Sequence, residues 1–161
     1  MKLPVHLREI TADDILPLHH ACWPESDPEL TYAHIENILR WRRRERAWGI
    51  VAEYQMQLVG FAQFTHWNGR GEISDLIVSL PHQGQGIGSA LILYMLNLAR
   101  QQQIALVEIG VARSNPGALR LYQKLGFVEQ YEIEIDLGKG KEPVVYLAHQ
   151  HMDEQWQKSI G

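Results

Sequence analysis

Residues 79–90 read SLPHQGQGIGSA, with three glycines within five residues. This stretch follows an apolar strand pattern and leads directly into a long apolar helix pattern. Gly84, Gly86 and Gly88 let the backbone approach a ligand closely and turn its N–H groups inward. The start of a helix adds unsatisfied donors and the positive end of the helix dipole. We therefore predict an anion-binding turn, with a tight turn that binds nothing as the alternative.

The turn differs from two common phosphate-binding loops. No Gly-Lys-Ser/Thr triplet follows the glycines, which disfavours a nucleoside triphosphatase. The spacing Gly-x-Gly-x-Gly, with Ala90 in place of a better-placed third glycine, also departs from the dinucleotide fingerprint.

Over the whole chain, the hydrophobic periodicity predicts the order β-α-α-β-β-β-α-β-α-β-β. The predicted strands are residues 5–10, 50–54, 58–67, 72–78, 105–111, 127–137 and 143–148. The second helix is expected to end near Arg46, and the last begins at Asn115-Pro116. A strand, a crossover helix and a strand predict that 72–78 and 105–111 run parallel in an otherwise mostly antiparallel sheet. The fold class is therefore mixed α/β, of the α+β type.

Two motifs carry a resemblance to a known family. Gln83 to Gly88, QGQGIG, resembles the Gln/Arg-x-x-Gly-x-Gly/Ala signature of the GNAT superfamily of N-acetyltransferases. Asn115 to Phe127, NPGALRLYQKLGF, is similar to the family's second signature, Asn-x-x-Ala-x-x-Leu-Tyr-x-x-x-Gly-Phe. The likeness in element order extends from Val5 to about Ala148. It implies one N-acetyltransferase domain in residues 1–150, with helices on both faces of the sheet, followed by a polar tail, 151–161.

The resemblance also implies acetyl-coenzyme A as cosubstrate, with no metal. The parallel strands would flank the coenzyme, and the glycine turn would hold its pyrophosphate. The implied coenzyme contacts are Leu76, Ile77, Val78, Gln83, Gly84, Gln85, Gly86, Ile87, Gly88, Ser89, Asn115 and Tyr122.

Asn115 and Tyr122 are seven residues apart, about two helical turns, so their side chains leave the helix in nearly the same direction. In the family the asparagine contacts pantetheine, and the tyrosine hydroxyl protonates the departing thiolate. A tyrosine stays protonated at neutral pH, as this role requires. Two plainer interpretations stay open: Asn115 as a helix cap ahead of Pro116, and Tyr122 as a packing residue.

The base that takes a proton from the attacking amine is less well marked. Several family members have a glutamate five residues before the signature asparagine, where this chain has Gly110. Asp75 and Glu72 are the predicted candidates, with Asp75 preferred, and Glu108 is a third. Glu72 and Asp75 have opposite parity, so a regular strand would direct only one of them inward. Each is also explained as a structural carboxylate.

Composition sets the remaining limits. The chain has 161 residues, 45% hydrophobic and 21% charged, which suits one domain with a buried core. A net charge of −4 argues against nucleic acid or an anionic membrane as partner. The single cysteine, Cys22, and the absence of a signal-like segment at the N-terminus favour a cytoplasmic protein. The eight histidines lack ligand spacing, and the basic run Arg42–Arg44 is interpreted as a solvated helix end.

The leading hypothesis is acetyl transfer from acetyl-coenzyme A to a primary amine by direct attack in a ternary complex. A backbone N–H near Ile77 or Val78 would stabilise the developing oxyanion. Trp23, Tyr32, Trp67 and Tyr146 are candidate acceptor contacts, with core packing as the alternative. The acceptor, a small molecule or a protein amine, stays open, as does a homodimer. The rival hypotheses are a non-catalytic acyl-coenzyme A-binding or sensing module of the same fold and a scaffold without coenzyme.

Overall fold

A computed structural model describes residues 2–150. The strands are β1 His6–Glu9, β2 Ala47–Tyr54, β3 Gln57–Trp67, β4 Arg70–Val78, β5 Leu106–Ala112, β6 Val128–Asp136 and β7 Lys141–Gln150. The helices are α1 Ile15–Cys22, α2 Pro28–Arg42, α3 Ile87–Gln101 and α4 Pro116–Lys124, with short 3-10 turns at Ala12–Asp14 and Leu80–His82. The predicted element order and the mixed α/β class are confirmed.

One seven-stranded sheet runs in the order β1-β2-β3-β4-β5-β7-β6. The β4 and β5 strands are parallel, as predicted, and the other neighbours are antiparallel. The parallel pairing joins Arg70 through Ile73 to Leu106 through Ile109. Beyond Ile73 strand β4 continues along β3, and beyond Ile109 strand β5 continues along β7. The two parallel strands therefore separate at their carboxyl ends and leave a gap between them.

Helices cover both faces of the sheet, each over its own apolar core. On one face Leu91, Ile92 and Met95 of α3 pack with Phe64 and Ile73 of the sheet. On the other face the buried residues of α1 and α2 enclose Val51 and Phe61. One face of each helix is buried because its apolar residues recur at the helical spacing of 3.6 residues.

Strand β4 is interrupted by a bulge at Asp75 and Leu76. Gln63 of β3 pairs with Ser74, and Phe61 pairs with Ile77, so two residues of β4 oppose one residue of β3. Asp75 has a φ of +52°, in the left-handed region where aspartate is one of the few tolerated side chains. The bulge lies next to the gap between β4 and β5.

The structure corrects the predicted end of the second helix. Helix α2 ends at Arg42, not near Arg46, because the chain turns through Glu45 with a φ of +54°. Arg42 pairs with Glu9, and the Arg44 guanidinium lies over the Trp41 ring, 5.5 Å from its centroid. The basic run is thus held by an acid and an aromatic ring.

The chain's last segment is only partly described. Strand β7 extends to Gln150, so the predicted domain of 1–150 ends with a strand. The predicted tail, 151–161, lies outside the described residues. Among residues 2–150, no helix is long and apolar enough to cross a membrane.

Candidate active site

The glycine turn lies at the start of α3, after the 3-10 turn. Gly84 and Gly86 have φ values of +74° and +84°, and Gly86 caps the helix. No heavy atom lies within 4 Å of a Cβ built on Gly84 or Gly88, so the backbone there is open to a ligand. This geometry suits an anion at the helix start, because the first amides of a helix have no partner within it.

The start of the chain supports this turn from the side. The Leu3 amide donates to the Gln85 carbonyl at 3.1 Å, and the Lys2 methylene chain lies against Gly86. The Gln83 side-chain amide donates to the Val78 carbonyl at 3.1 Å, which ties the turn to the end of β4. Sequence patterns gave no sign of these contacts, because they join segments far apart or depend on side-chain orientation.

A cleft of about 630 Å³ runs from the turn past the end of β4 to α4. Most of the predicted coenzyme contacts line it: Leu76, Val78, Gln83, Gly84, Gly86, Ile87, Gly88, Ser89, Asn115 and Tyr122. Gln85 and Ile77 do not line it. The Ile77 side chain packs against the α1 and α2 core, so a contact from this residue must come from its backbone.

Helix α4 presents both of its predicted residues to the cleft. The Asn115 side-chain oxygen accepts from the Ala118 amide at 3.2 Å, so the cap exists, while its NH₂ group is a separate donor. Tyr122 is 7% exposed and packs near Phe127, with ring centroids 6.3 Å apart. Burial raises the pKa of Tyr122 above its ordinary value, so the hydroxyl keeps its proton at neutral pH.

Glu72 and Asp75, which a regular strand would direct to opposite faces, lie on the same face of β4. Asp75 shares a cavity with His34 of α2, and Glu72 shares another with Asn37 of the same helix. The bulge at Asp75 adds a residue to the strand and breaks the alternation, which is why both carboxylates lie on the α2 side.

The Glu72 and Glu108 carboxylates are neighbours on this open face. Their residues are direct partners in the parallel register, and Arg70 donates to Glu108 at 3.1 Å. Burial raises the pKa of Glu72, and the charges of Glu108 and Asp75 raise it further. Glu108 therefore forms an ion pair with Arg70, whereas the Glu72 carboxylate binds a proton more readily than an ordinary glutamate.

Gly110, the position where several family members have glutamate, is covered by an aromatic ring. A Cβ on Gly110 would lie 3.1 and 3.2 Å from two Tyr146 ring atoms. Tyr146 stacks on Tyr131, with centroids 5.0 Å apart and planes at 13°. The Tyr146 ring therefore occupies space that a glutamate side chain at Gly110 would need.

The other aromatic and histidine candidates fall in three places. Trp23 lines the cavity beside Asp75, and Trp67 and His66 line the cavity beside Glu72. His82 lines the cleft at the glycine turn, with Nδ1 2.7 Å from the Ser79 hydroxyl. Tyr32 is 42% exposed on α2 and lines none of these cavities. Among residues 2–150 no group of three or more His, Cys, Asp or Glu side chains is arranged to hold a metal ion.

Sequence reasoning missed several residues of the site. His82, Gly117, Ala118 and Leu121 line the cleft without having been assigned to it. The last three fall inside the second motif, so a helical projection of that motif would have found them. His34 carried no signal, since its place beside Asp75 depends on how α2 packs across the sheet.

Residues 12–127 match the model of the acetyltransferase (GNAT) family. The chain belongs to this family. The resemblance of the two motifs is thereby confirmed.

Curated relatives of this GNAT chain are N-acetyltransferases and related acetyltransferases. It is 33% identical over 72 residues to a streptothricin acetyltransferase of Streptomyces lavendulae, covering 44% of this chain and 38% of that protein. It is 29% identical to an uncharacterized N-acetyltransferase of Methanocaldococcus jannaschii, covering 77% and 61%. It is 31% identical to an L-2,4-diaminobutyric acid acetyltransferase of Virgibacillus pantothenticus, covering 68% and 69%. The chain thus spans less than two thirds of the first two relatives.

Solved structures share the fold at low sequence identity. A spermidine N-acetyltransferase chimera from Vibrio cholerae superposes with a TM-score of 0.78, 20% identity and 98% coverage of both chains. An N-acetyltransferase of Thermoplasma acidophilum in complex with coenzyme A gives a TM-score of 0.70 at 16% identity, covering 92% of this chain and all of that one. The GNAT-like fold predicted from the motifs is confirmed.

Proposed function

We propose that this GNAT domain is an acetyl-coenzyme A-dependent N-acetyltransferase that acts on a primary amine by direct attack in a ternary complex. The observation that carries the proposal is the cleft of about 630 Å³, which both motifs line. The glycine turn lies in one part of its wall and the Tyr122 ring in another. An anion site and a buried acid are thereby joined in one cavity, as a nucleotide-linked thioester requires.

The residues present fit the coenzyme. Open backbone at Gly84 and Gly88 suits a pyrophosphate, and the apolar side chains of Leu76, Val78 and Leu121 suit the pantetheine arm. When bound, acetyl-coenzyme A supplies the acetyl thioester. The Asn115 NH₂ group is a donor available to that arm.

The backbone of β4 provides the oxyanion donor. The Ser79 amide donates to the Val59 carbonyl of β3, and backbone groups alternate in direction along a strand. The Val78 N–H therefore points away from β3, toward the cleft, in agreement with the Gln83 contact to the Val78 carbonyl. Val78 is thus our choice between the two predicted donors, Ile77 and Val78.

Tyr122 is the proposed acid, and Asp75 is the preferred carboxylate on the amine's side. Asp75 directly precedes Leu76, which lines the cleft. Glu72 lies three residues earlier, about 10 Å along a strand, so it serves better to attract a cationic acceptor than to reach its reacting nitrogen. Both carboxylates give the α2 side a negative potential that favours an ammonium ion.

A small amine is the first acceptor class to test. The cavity beside Asp75 holds about 220 Å³, and diaminobutyric acid and spermidine are small amines named for the relative and the neighbour above. A cytoplasmic location remains a prediction from the single cysteine.

The experiment measures thiol release from acetyl-coenzyme A with a panel of diamines, amino acids and peptide N-termini. Calorimetry and thermal shift with the coenzyme are measured in parallel. Turnover with one class supports the enzyme. A coenzyme that neither binds nor raises the melting temperature contradicts it and favours the scaffold.

One observation favours the second candidate function, a non-catalytic acyl-coenzyme A-binding module. The position of the family glutamate is Gly110, and Tyr146 fills the space beside it. Coenzyme binding without thiol release across the whole panel would support this module over the enzyme.

A further inference from the structure

A cavity of about 220 Å³ lies between helix α2 and the bulge of β4. Trp23, Ser26, Leu30 and Thr31 form its walls, together with His34 and Asp75. Among these lining residues, His34 and Asp75 are the titratable ones. A pair of ionisable side chains in a cavity is an arrangement that catalytic sites use, so the geometry of this pair decides what it can do.

The two side chains are in direct electrostatic contact. His34 Nε2 lies 3.1 Å from Asp75 Oδ2, and the Nε2 atom itself is shielded from water. The two side chains are nevertheless 37% and 46% exposed. The ring edge of His34 packs against Trp23 and Phe61, with ring centroids 6.3 and 6.5 Å apart. The imidazole is thus held by two aromatic rings and one carboxylate, while part of it faces the cavity.

The bulge explains how this contact forms. A regular strand would direct Asp75 and Glu72 to opposite faces, but the φ of +52° at Asp75 turns its side chain toward α2. A left-handed conformation at a residue other than glycine stores backbone strain, and such strain is common at functional positions. The next residue, Leu76, already lines the coenzyme cleft. The cavity that holds the histidine–carboxylate pair and the cleft are therefore lined by adjacent residues of β4.

We infer that His34, and not Asp75 itself, takes the proton from the attacking amine, and that Asp75 positions and stabilises the imidazole. This rests on the proposed acetyl transfer. Asp75 next to Nε2 favours a proton on that nitrogen, which leaves Nδ1 as the acceptor. Among the described residues Nε2 makes no hydrogen bond of its own, so Asp75 acts on it as a nearby charge at 3.1 Å. Histidine is also better matched than a carboxylate to proton transfer near neutral pH.

The protons and electrons balance with these residues. The acceptor's ammonium gives one proton to His34, and the freed nitrogen lone pair forms the bond to the acetyl carbon. The electrons of the carbon–sulfur bond leave with the sulfur, which takes a proton from Tyr122. The second proton of the nitrogen replaces the one that Tyr122 gave, and His34 releases its proton to solvent. Each turnover therefore yields one amide, one thiol and one proton.

Other charged groups near His34 come from two elements. Asp75 faces it from β4. On α1, His19 stands behind the cavity wall, with Nδ1 3.1 Å from the Thr31 hydroxyl. His19 is buried and contacts the cavity wall through Thr31. A pH effect on the rate that is lost when His34 is substituted, and altered when Asp75 is substituted, is therefore assigned to the His34–Asp75 pair.

The test compares His34→Gln and Asp75→Asn with His20→Gln, an exposed α1 histidine that lines a different cavity. The readout is kcat/KM against pH with the acceptor found in the amine panel, after thermal shift with coenzyme A has shown that each variant is folded. We expect His34→Gln to lower kcat/KM about 100-fold or more and to remove its rise with pH. Asp75→Asn should lower kcat and move that rise, and His20→Gln should match the wild type.

A further variant, His34→Ala, gives a readout that a structural role would not move. Added imidazole should restore part of its rate, in proportion to the neutral imidazole present. An unchanged pH profile in His34→Gln, or a loss of rate in His34→Ala without rescue, overturns the role of His34. A wild-type protein that transfers acetyl to no amine overturns the proposed function as well, so the two failures are distinguishable.

Discussion

The ring of Tyr122 is almost fully buried, and its hydroxyl is the only part that phenylalanine would lack. Tyr122→Phe therefore keeps the packing near Phe127 and removes the proposed acid. We expect kcat to fall about 100-fold or more, with the coenzyme's Kd nearly unchanged. Because burial raises the pKa of Tyr122, the wild type should lose no activity through its deprotonation below about pH 10. Steady-state kinetics between pH 6 and 10 and calorimetry measure both effects, and a full rate in the variant contradicts the assignment.

The Gly110→Glu substitution tests whether a glutamate at this position can act as it does in other family members. In Gly110→Glu the new Cβ would lie 3.1 Å from the Tyr146 ring, so the ring must move before the carboxylate fits. We expect no gain in kcat and a higher KM for the acceptor, together with about 1–3 kcal/mol lost stability from overpacking. Urea unfolding and acceptor kinetics measure these outcomes.

The double variant Gly110→Glu/Tyr146→Ala is the control for that crowding. Removal of the ring should return most of the stability that the single variant lost. A Gly110→Glu variant with a higher kcat and unchanged stability would contradict this expectation, because it would mean that the Tyr146 ring moves at little cost.

At the scale of the elements, the glycine turn offers a matched pair of variants. Gly84 and Gly138 have φ values of +74° and +99°, and neither has a heavy atom within 4 Å of a built Cβ. Alanine at either position strains the backbone by about 1 kcal/mol. Only Gly84 lines the coenzyme cleft, so Gly84→Ala should weaken coenzyme A binding about 10-fold or more, while Gly138→Ala should not. Calorimetry on both variants decides; equal losses would mean that the turn does not contact the ligand.

The elements also show what sequence can and cannot reveal. Strand and helix order followed from local periodicity, and the turn and α4 were found because their residues are close in sequence. The bulge at Asp75 was not, since its cause is the register of β4 against β3. His34 opposite Asp75, and Tyr146 over Gly110, likewise depend on how distant segments pack. The cleft that both motifs line could therefore be predicted from sequence, and the cavities beside Asp75 and Glu72 could not.

At the scale of the whole molecule, an ionic cluster joins the edge of the sheet to the first helical turn. Arg8 of β1 donates to both carboxylate oxygens of Asp14 at 2.7 Å and to Glu53 of β2 at 2.8 Å. Burial by itself raises the pKa of Asp14, but the hydrogen bonds from Arg8 and Thr11 outweigh it and hold the pKa below its usual value. The cluster therefore stabilises the fold while Asp14 is ionised.

Asp14→Asn tests this cluster through the pH dependence of stability. The folded-state pKa is lowered, so the contribution is present above the unfolded pKa of about 3.9 and is lost as pH falls below it. We expect the variant to lose about 1–3 kcal/mol at pH 7 and to approach the wild type below about pH 4. Urea unfolding across this range measures the difference, with Asp13→Asn, an exposed neighbour, as the control. A difference that does not shrink in acid would contradict the ionic origin.

The contact between Leu3 and Gln85 joins the start of the described residues to the turn that we expect to hold the pyrophosphate. A ligand that stabilises the turn should also slow hydrogen exchange at the Leu3 amide, which donates to the Gln85 carbonyl. Deuterium uptake at this one amide therefore reports how fully the turn is occupied, with no acceptor, no turnover and no label on the coenzyme.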